Sequence, residues 1–149
     1  MKISVYPLRR HSIREIDAAG RANFLDACRA AAARAADRLA TAARSEVSAR
    51  AKRRTGVLEK SISTMSYSGL YGVGAYTGWE RTPLKRKSTF QDGSGRIRRV
   101  STAADVGGIL EYSQTRQLRH IQPAYDAHAD ELADKLENEI DELLDSMGL

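Results

Sequence analysis

Few side chains in this sequence are able to do chemistry, and their spacing narrows what that chemistry is. The three histidines, His11, His120 and His128, sit in polar surroundings with no paired ligand spacing. His128 and Glu131 share a helical interval, but the zinc-protease helix needs two histidines four residues apart. All three therefore read as solvated imidazoles. Cys28 is the single cysteine, which excludes a disulfide framework and a multi-thiolate zinc site and fits a reducing compartment. It lies on an apolar helical stripe, where a thiol is structural rather than nucleophilic.

The run Gly72-Val73-Gly74-Ala75-Tyr76-Thr77-Gly78 invites comparison with a phosphate loop. Its third glycine comes one position late for the dinucleotide fingerprint, and no lysine-Ser/Thr pair follows as in a P-loop. Glycines at alternate strand positions instead mark a bulge or a close backbone contact. The acid pairs Asp130/Glu131 and Asp141/Glu142 fall on the solvent side of a helix. No catalytic, cofactor or metal constellation is expected, and the chain does not read as an enzyme.

What remains is charge. Between residues 77 and 104, Arg81, Lys85, Arg86, Lys87, Arg96, Arg98 and Arg99 face only Glu80 and Asp92. Such an excursion can contact phosphates non-specifically with a steep salt dependence, meet an acidic partner surface, or stay a solvated loop. Only Trp79 and Phe90 interleave with it, which gives weak support for a stacking platform.

The elements that must carry these residues follow from periodicity. Lys2 to Leu8 reads as a short edge strand or arm ending at Pro7. Ser12 to Glu15 has capping-box spacing, and Gly20 is expected to break or bend the stripe that begins at Ile13. From Arg21 to about Lys52, Phe24, Cys28, Ala31, Ala35, Leu39, Ala43 and Val47 recur at three- and four-residue steps, predicting a helix of roughly 45 Å. Its alanines permit close approach of a neighbouring backbone. Thr55-Gly56 ends it, with Gly56 suited to a left-handed exit. Ser61 to Tyr67 and Leu70 to Tyr76 predict a hairpin turning at Ser68-Gly69. Thr89-Phe90 and Ile97 to Val100 are either a long hairpin or part of a flexible loop, and Asp105 to Tyr112 is either helix or strand. Pro123 suits the first position of a final helix, whose stripe is Ala124, Ala127, Leu132, Leu136, Ile140, Leu143 and Met147. The expected fold is α+β: a long Ala-rich N-terminal helix and a C-terminal amphipathic helix packed on a small, mainly antiparallel sheet, with a long basic loop or hairpin. It is a single domain over 1–149, with an arm at 1–11 and the basic excursion at 77–104.

Composition sets a further condition. The 62 apolar residues include 22 alanines, and Leu, Ile, Val and Phe number only 29. That fraction lies just under the roughly 20% at which high charge begins to suggest disorder. Either the core is thin and helical, or other subunits complete it. No apolar run spans a membrane and no secretory signal opens the chain, so a soluble, cytoplasmic chain is expected. The net charge of +5 conceals a division: residues 1–122 hold 23 Lys/Arg and 10 Asp/Glu, and residues 123–149 hold Lys135 against nine acids. This polarity fits a nucleic-acid surface with an acidic tail, or head-to-tail packing of identical subunits.

At Ala51-Lys52-Arg53-Arg54-Thr55-Gly56-Val57-Leu58-Glu59-Lys60-Ser61-Ile62 the chain resembles the small tail-component proteins of long-tailed bacteriophages, called neck, head–tail joining or tail-completion proteins. Their pattern is an Ala-rich helix, an A-K-x-x-T-G-x-L-x-x-S-I run entering a sheet, a V-E-x-G-T-like segment, and an aromatic or histidine before a P-A that opens the last helix. Thr55, Gly56, Leu58, Ser61 and Ile62 match the first run, Glu111 within Ile109 to Ser113 matches the second, and His120 to Ala124, with Pro123, resembles the third. Ser113 departs from the usual glycine, and the 77–104 excursion is longer than the pattern. The resemblance covers roughly 45–149. It implies a virion structural protein, without cofactor, forming a ring at the head–tail junction. A hexamer is expected, or a dodecamer on the portal side. Implied partners are adaptor, stopper or portal-side proteins, the tail tube and passing DNA, with no membrane. The chain would reside in the host cytoplasm during assembly and in the virion afterwards, with the seven excursion cations at an interface or the DNA lumen. The residues alone leave open a non-specific nucleic-acid-binding protein with an acidic C-terminal helix.

Overall fold

The computed structural model describes residues 2–5, 18–50, 56–69, 72–91, 94–112 and 119–147. The chain is α+β. Its elements are β1 (Lys2–Val5), α1 (Ala18–Arg50), α2 (Val57–Ser61), β2 (Ile62–Gly69), β3 (Gly72–Trp79), β4 (Pro83–Gln91), β5 (Ile97–Thr102), α3 (Ala103–Tyr112) and α4 (Ile121–Ser146). Strands β1, β3 and β2 form one sheet in that order, and β4 and β5 form a second. β1 runs antiparallel to β3, with Ile3 facing Ala75 and Val5 facing Val73. Thr55, arm residues 6–11 and the Ser12 to Glu15 spacing lie outside the described residues.

Helix α1 obeys the predicted stripe. Phe24, Cys28, Ala31, Ala35, Leu39, Ala43 and Val47 are all buried, and Ala32, Ala36 and Ala40 widen the buried face. The helix passes through Gly20 instead of breaking there. Gly20 is the third residue of α1, in the first turn, where the helix-interior cost of about 1 kcal/mol for a glycine is not fully incurred. The hairpin β2–β3 forms, but Ser68 and Gly69 belong to β2 and not to its turn. The excursion is ordered as the hairpin β4–β5, and the segment from Asp105 to Tyr112 is helical.

The chain divides into two compact units, residues 39–63 with 77–127, and residues 2–38 with 64–76 and 128–149. In the second unit, Phe24, Cys28 and Val73 form an apolar cluster against which Leu143, Leu144 and Met147 pack. Burial pushes the Cys28 thiol pKa up, so the group is held neutral in an apolar setting. Ala32 and Ala36 meet Ala75 of β3; side chains of one methyl let helix and strand approach closely. The Arg34 guanidinium grips Glu139 at 2.6 and 3.1 Å. Helix α4 is only partly covered. Ala124 and Leu132 are buried, Leu136 and Ile140 half-buried, and Ala127 is exposed despite its place on the predicted stripe.

In the first unit, the one-turn helix α2 begins at Gly56, whose φ of +69° lies in the left-handed region. The glycine is thus left-handed as expected, and it turns the chain into α2, where Lys60 N–H donates to its carbonyl at 3.0 Å. Ser61 closes that turn by donating from Oγ to the Leu58 carbonyl at 2.7 Å. Helix α3 starts with a reciprocal cap. Ser101 and Thr102 N–H groups donate to the Asp105 carboxylate at 2.9 Å, and Asp105 N–H returns to Thr102 Oγ1 at 3.3 Å. These amides hold the Asp105 carboxyl below the usual carboxylate range.

Two adjacent glycines in α3 differ in what lies over them. A Cβ built on Gly107 would lie 2.5 Å from the Trp79 indole, whereas one on Gly108 meets nothing within 4 Å. Gly107→Ala is therefore expected to destabilise the protein by about 1–3 kcal/mol through overpacking. Gly108→Ala should stabilise it by about 0.5–1 kcal/mol through helix propensity. Urea denaturation of the two variants measures both; equal shifts would refute the Trp79 contact.

Candidate functional site

Among the described residues one buried carboxylate stands out, Glu111, on the last turn of α3 and 4% exposed. Its carboxylate accepts three consecutive backbone N–H groups, from His120 at 2.8 Å, Ile121 at 3.0 Å and Gln122 at 2.7 Å. These are amides that the first turn of a helix cannot pair internally, and a negative charge there also opposes the positive end of the helix dipole. The next residue is Pro123, which has no N–H to satisfy. Pro123 is thus the third residue of α4 and not its first: the glutamate has taken the earlier positions, and proline fits anywhere in the first turn.

His120 is fully buried, which corrects the expectation of a solvated imidazole. The Trp79 indole N–H donates to its Nε2 at 2.9 Å. An indole can only donate, so Nε2 accepts and the ring proton sits on Nδ1, 3.3 Å from Glu111 Oε2. The indole also contacts the His120 ring edge-on at 5.6 Å and the Tyr112 ring at 6.5 Å. On the other side of the same strand end, Glu80 N–H donates to the Ser61 carbonyl at 2.7 Å. The Ile62 carbonyl accepts both Nε and Nη2 of Arg44, at 3.1 and 2.6 Å. Ser61 and Ile62 are buried, and Leu58 lies in α2 with Ser61. The residues singled out by resemblance, apart from Thr55, all fall in this unit. The roles of Arg44 and Trp79 and the burial of His120 are not read from sequence, although an indole and an imidazole flanking one glutamate are a recognisable hydrogen-bonding set.

Burial disfavours the ionised Glu111, but the three amides and His120 together outweigh it, and the carboxyl pKa is lowered. The arrangement is a buried structural cap.

The basic residues form a separate surface. Lys85, Arg86 and Lys87 are exposed on β4, Arg98 and Arg99 on β5, and Arg81 and Arg96 in the segments just before those strands. The ladder pairs Ser88 with Val100, Thr89 with Arg99, Phe90 with Arg98 and Gln91 with Ile97, then shifts so that Pro83 meets Thr102. Five steps along β4 thus answer two along β5, and the surplus falls on the segment holding Lys85-Arg86-Lys87. A bulge of this kind frees consecutive side chains from strict alternation and bends the strand. At the far end, Gln91 Nε2 donates to the Gly95 carbonyl at 3.1 Å.

His128 is exposed, with Nδ1 3.7 Å from Glu131 Oε2, and Glu131 also pairs with Lys135. The glycine run lies within β3, where Gly74 faces Ser4 of β1, so it forms no phosphate loop. Among the described residues no group of three or more His, Cys, Asp or Glu could hold a metal, and no helix is long and apolar enough to cross a membrane.

Because the folded state favours the ionised Glu111, its contribution is full above the ordinary glutamate pKa of about 4.3 and is lost as pH falls through the lower folded value. Glu111→Gln is expected to cost about 2–4 kcal/mol at pH 7, since three buried amides lose a charged acceptor. The gap from wild type should shrink below about pH 4. Urea denaturation across this range decides; a gap that stays constant with pH contradicts the assignment.

Comparison of the chain with protein-family models, curated proteins and solved structures gives no match.

Proposed function

We propose that this chain is a virion structural protein of a long-tailed bacteriophage, forming a ring at the head–tail junction that completes or joins the tail and lets DNA pass. The observation that carries the proposal is a convergence. Three separated stretches carry the resemblance, residues 51–62, 109–113 and 120–124. Glu111 of the second caps the helix opened by the third. Trp79 and Glu80 then tie His120 of the third to Ser61 of the first. Chance matches have no reason to meet in one hydrogen-bonded cluster.

Two further features support self-assembly. Helix α4 leaves Leu136 and Ile140 of its apolar stripe half-covered and Ala127 exposed. The exposed cations Lys85, Arg86, Lys87 and Arg99 of β4–β5 and the exposed acids Asp130, Asp134, Glu137, Asp141 and Asp145 of α4 lie on different elements, which suits the two unlike contact surfaces of a closed heterologous ring. Six subunits match the symmetry of such tails, with twelve as the portal-side alternative. Partners are adaptor, stopper or portal-side proteins and the tail tube, with transient DNA contact. The chain assembles in the host cytoplasm and ends in the virion.

The β4–β5 ribbon also favours a second function, non-specific nucleic-acid binding, since a two-stranded basic ribbon fits the DNA major groove. In that case duplex binding falls steeply with salt and is lost when Arg86, Lys87 and Arg99 become Ala.

Mass photometry and electron microscopy of the purified protein, alone and with heads and tails of its particle, are expected to show closed rings with a central opening. Reversing Arg86, Lys87, Arg98 and Arg99 to Glu should block joining while leaving the subunit folded. A chain that stays monomeric in every mixture, or whose reversal variants join particles at normal yield, refutes the proposal.

A further inference from the structure

Two exposed charged surfaces in the chain lack counter-charges of their own. Among the described residues, Lys85, Arg86, Lys87 and Arg99 pair with no carboxylate, and Asp130, Asp134, Glu137, Asp141 and Asp145 pair with no cation. Those five acids recur at steps of four, three, four and four along α4, which places them on one face, and each is exposed.

The ribbon is itself incomplete. A two-stranded sheet is marginal alone in water, and among the described strands β4 and β5 pair only with each other. Addition of an identical ribbon would set like charges opposite one another, which opposes edge pairing. Its occupant must instead be acidic, and must tolerate the apolar Ile97, 75% exposed at the ribbon end. The acidic face of α4 is long enough to span the ribbon. From Asp130 to Asp145 it runs about 22 Å, with about 6 Å between residues four apart. From Ile97 to Thr102, strand β5 runs about 17 Å.

We infer that the β4–β5 ribbon of one copy docks on the acidic face of α4 in a second copy, and that this head-to-tail contact is the repeating junction of the assembly. The inference rests on the proposed ring and names its surfaces. The register shift in β4 falls on the segment that holds Lys85, Arg86 and Lys87, all three exposed. The contact is electrostatic and exposed at its rim, so it weakens with added salt.

Sedimentation velocity of the full-length protein at low salt tests this with two variants. One carries Lys85→Glu, Arg86→Glu and Lys87→Glu; the other carries Asp134→Lys, Glu137→Lys and Asp141→Lys. Wild type should self-associate, and each variant alone should do so more than about a hundredfold more weakly. An equimolar mixture should recover association, because opposite charges then meet at every junction of an alternating assembly. That recovery also shows that both variants are folded. Rings that survive both reversals, or a mixture that stays dissociated while wild type forms rings, overturn the ribbon–helix contact and leave the ring standing. Wild type that never associates, even with heads and tails, removes both. If the ribbon variant sediments like wild type and loses only duplex DNA binding, the ribbon belongs to DNA and the contact falls.

Discussion

The first unit depends on one carboxylate. Glu111 satisfies the amides of His120, Ile121 and Gln122, and so fixes where α4 starts and holds its first turn against the end of α3. Three charge-assisted hydrogen bonds in a buried setting are each stronger than their neutral counterparts, and leaving any of those amides unpaired would cost the full desolvation of the group. His120 then has a fixed ring orientation, Trp79 has an acceptor for its only polar atom, and the indole face is free to lie on Gly107. Each step is forced by the one before. A glycine under an indole, a proline in the first turn and an acid nine residues before the histidine are consequences of one cap.

Around that cap the chain manages with small side chains. The second unit packs Ala32 and Ala36 on Ala75, where close backbone approach replaces the bulk that Leu or Phe would supply. Dispersion contacts depend on proximity, so an alanine helix gains much of its packing from being near its neighbour. Helix α4 keeps an exposed acidic face from Asp130 to Asp145, and the β4–β5 ribbon carries an exposed basic one. A chain built this way leaves Lys85, Arg86, Lys87 and the α4 acids at its surface.

Much of this is legible in the residues. The stripe from Phe24 to Val47 emerges whole because a 3.6-residue period of apolar side chains has one interpretation over thirty residues. Gly56 is legible as left-handed, though its role at the start of α2 is not, because one turn of helix leaves no periodic trace. The segment from Asp105 to Tyr112 is ambiguous from its apolar cluster alone; the deciding signal is Thr102 and Asp105 at capping-box spacing, which converts an apolar run into a helix start. His120 misleads because its neighbours in sequence, Arg119 and Gln122, are polar and exposed, whereas its neighbours in space, Trp79 and Glu111, are forty-one and nine residues away. Side-chain chemistry assembled across such separations leaves no local pattern. The bulge in β4 is hidden for a related reason: register is a property of two strands, and neither strand alone records it.

An electron cryomicroscopy reconstruction of the purified assembly bears most directly on the claim that this chain is a ring subunit joined through its own opposite charges. The account predicts a closed ring in which each β4–β5 ribbon lies along the Asp130 to Asp145 face of the next subunit's α4. A map of isolated subunits, or a ring whose ribbons and acidic helix faces both point to solvent, would contradict it.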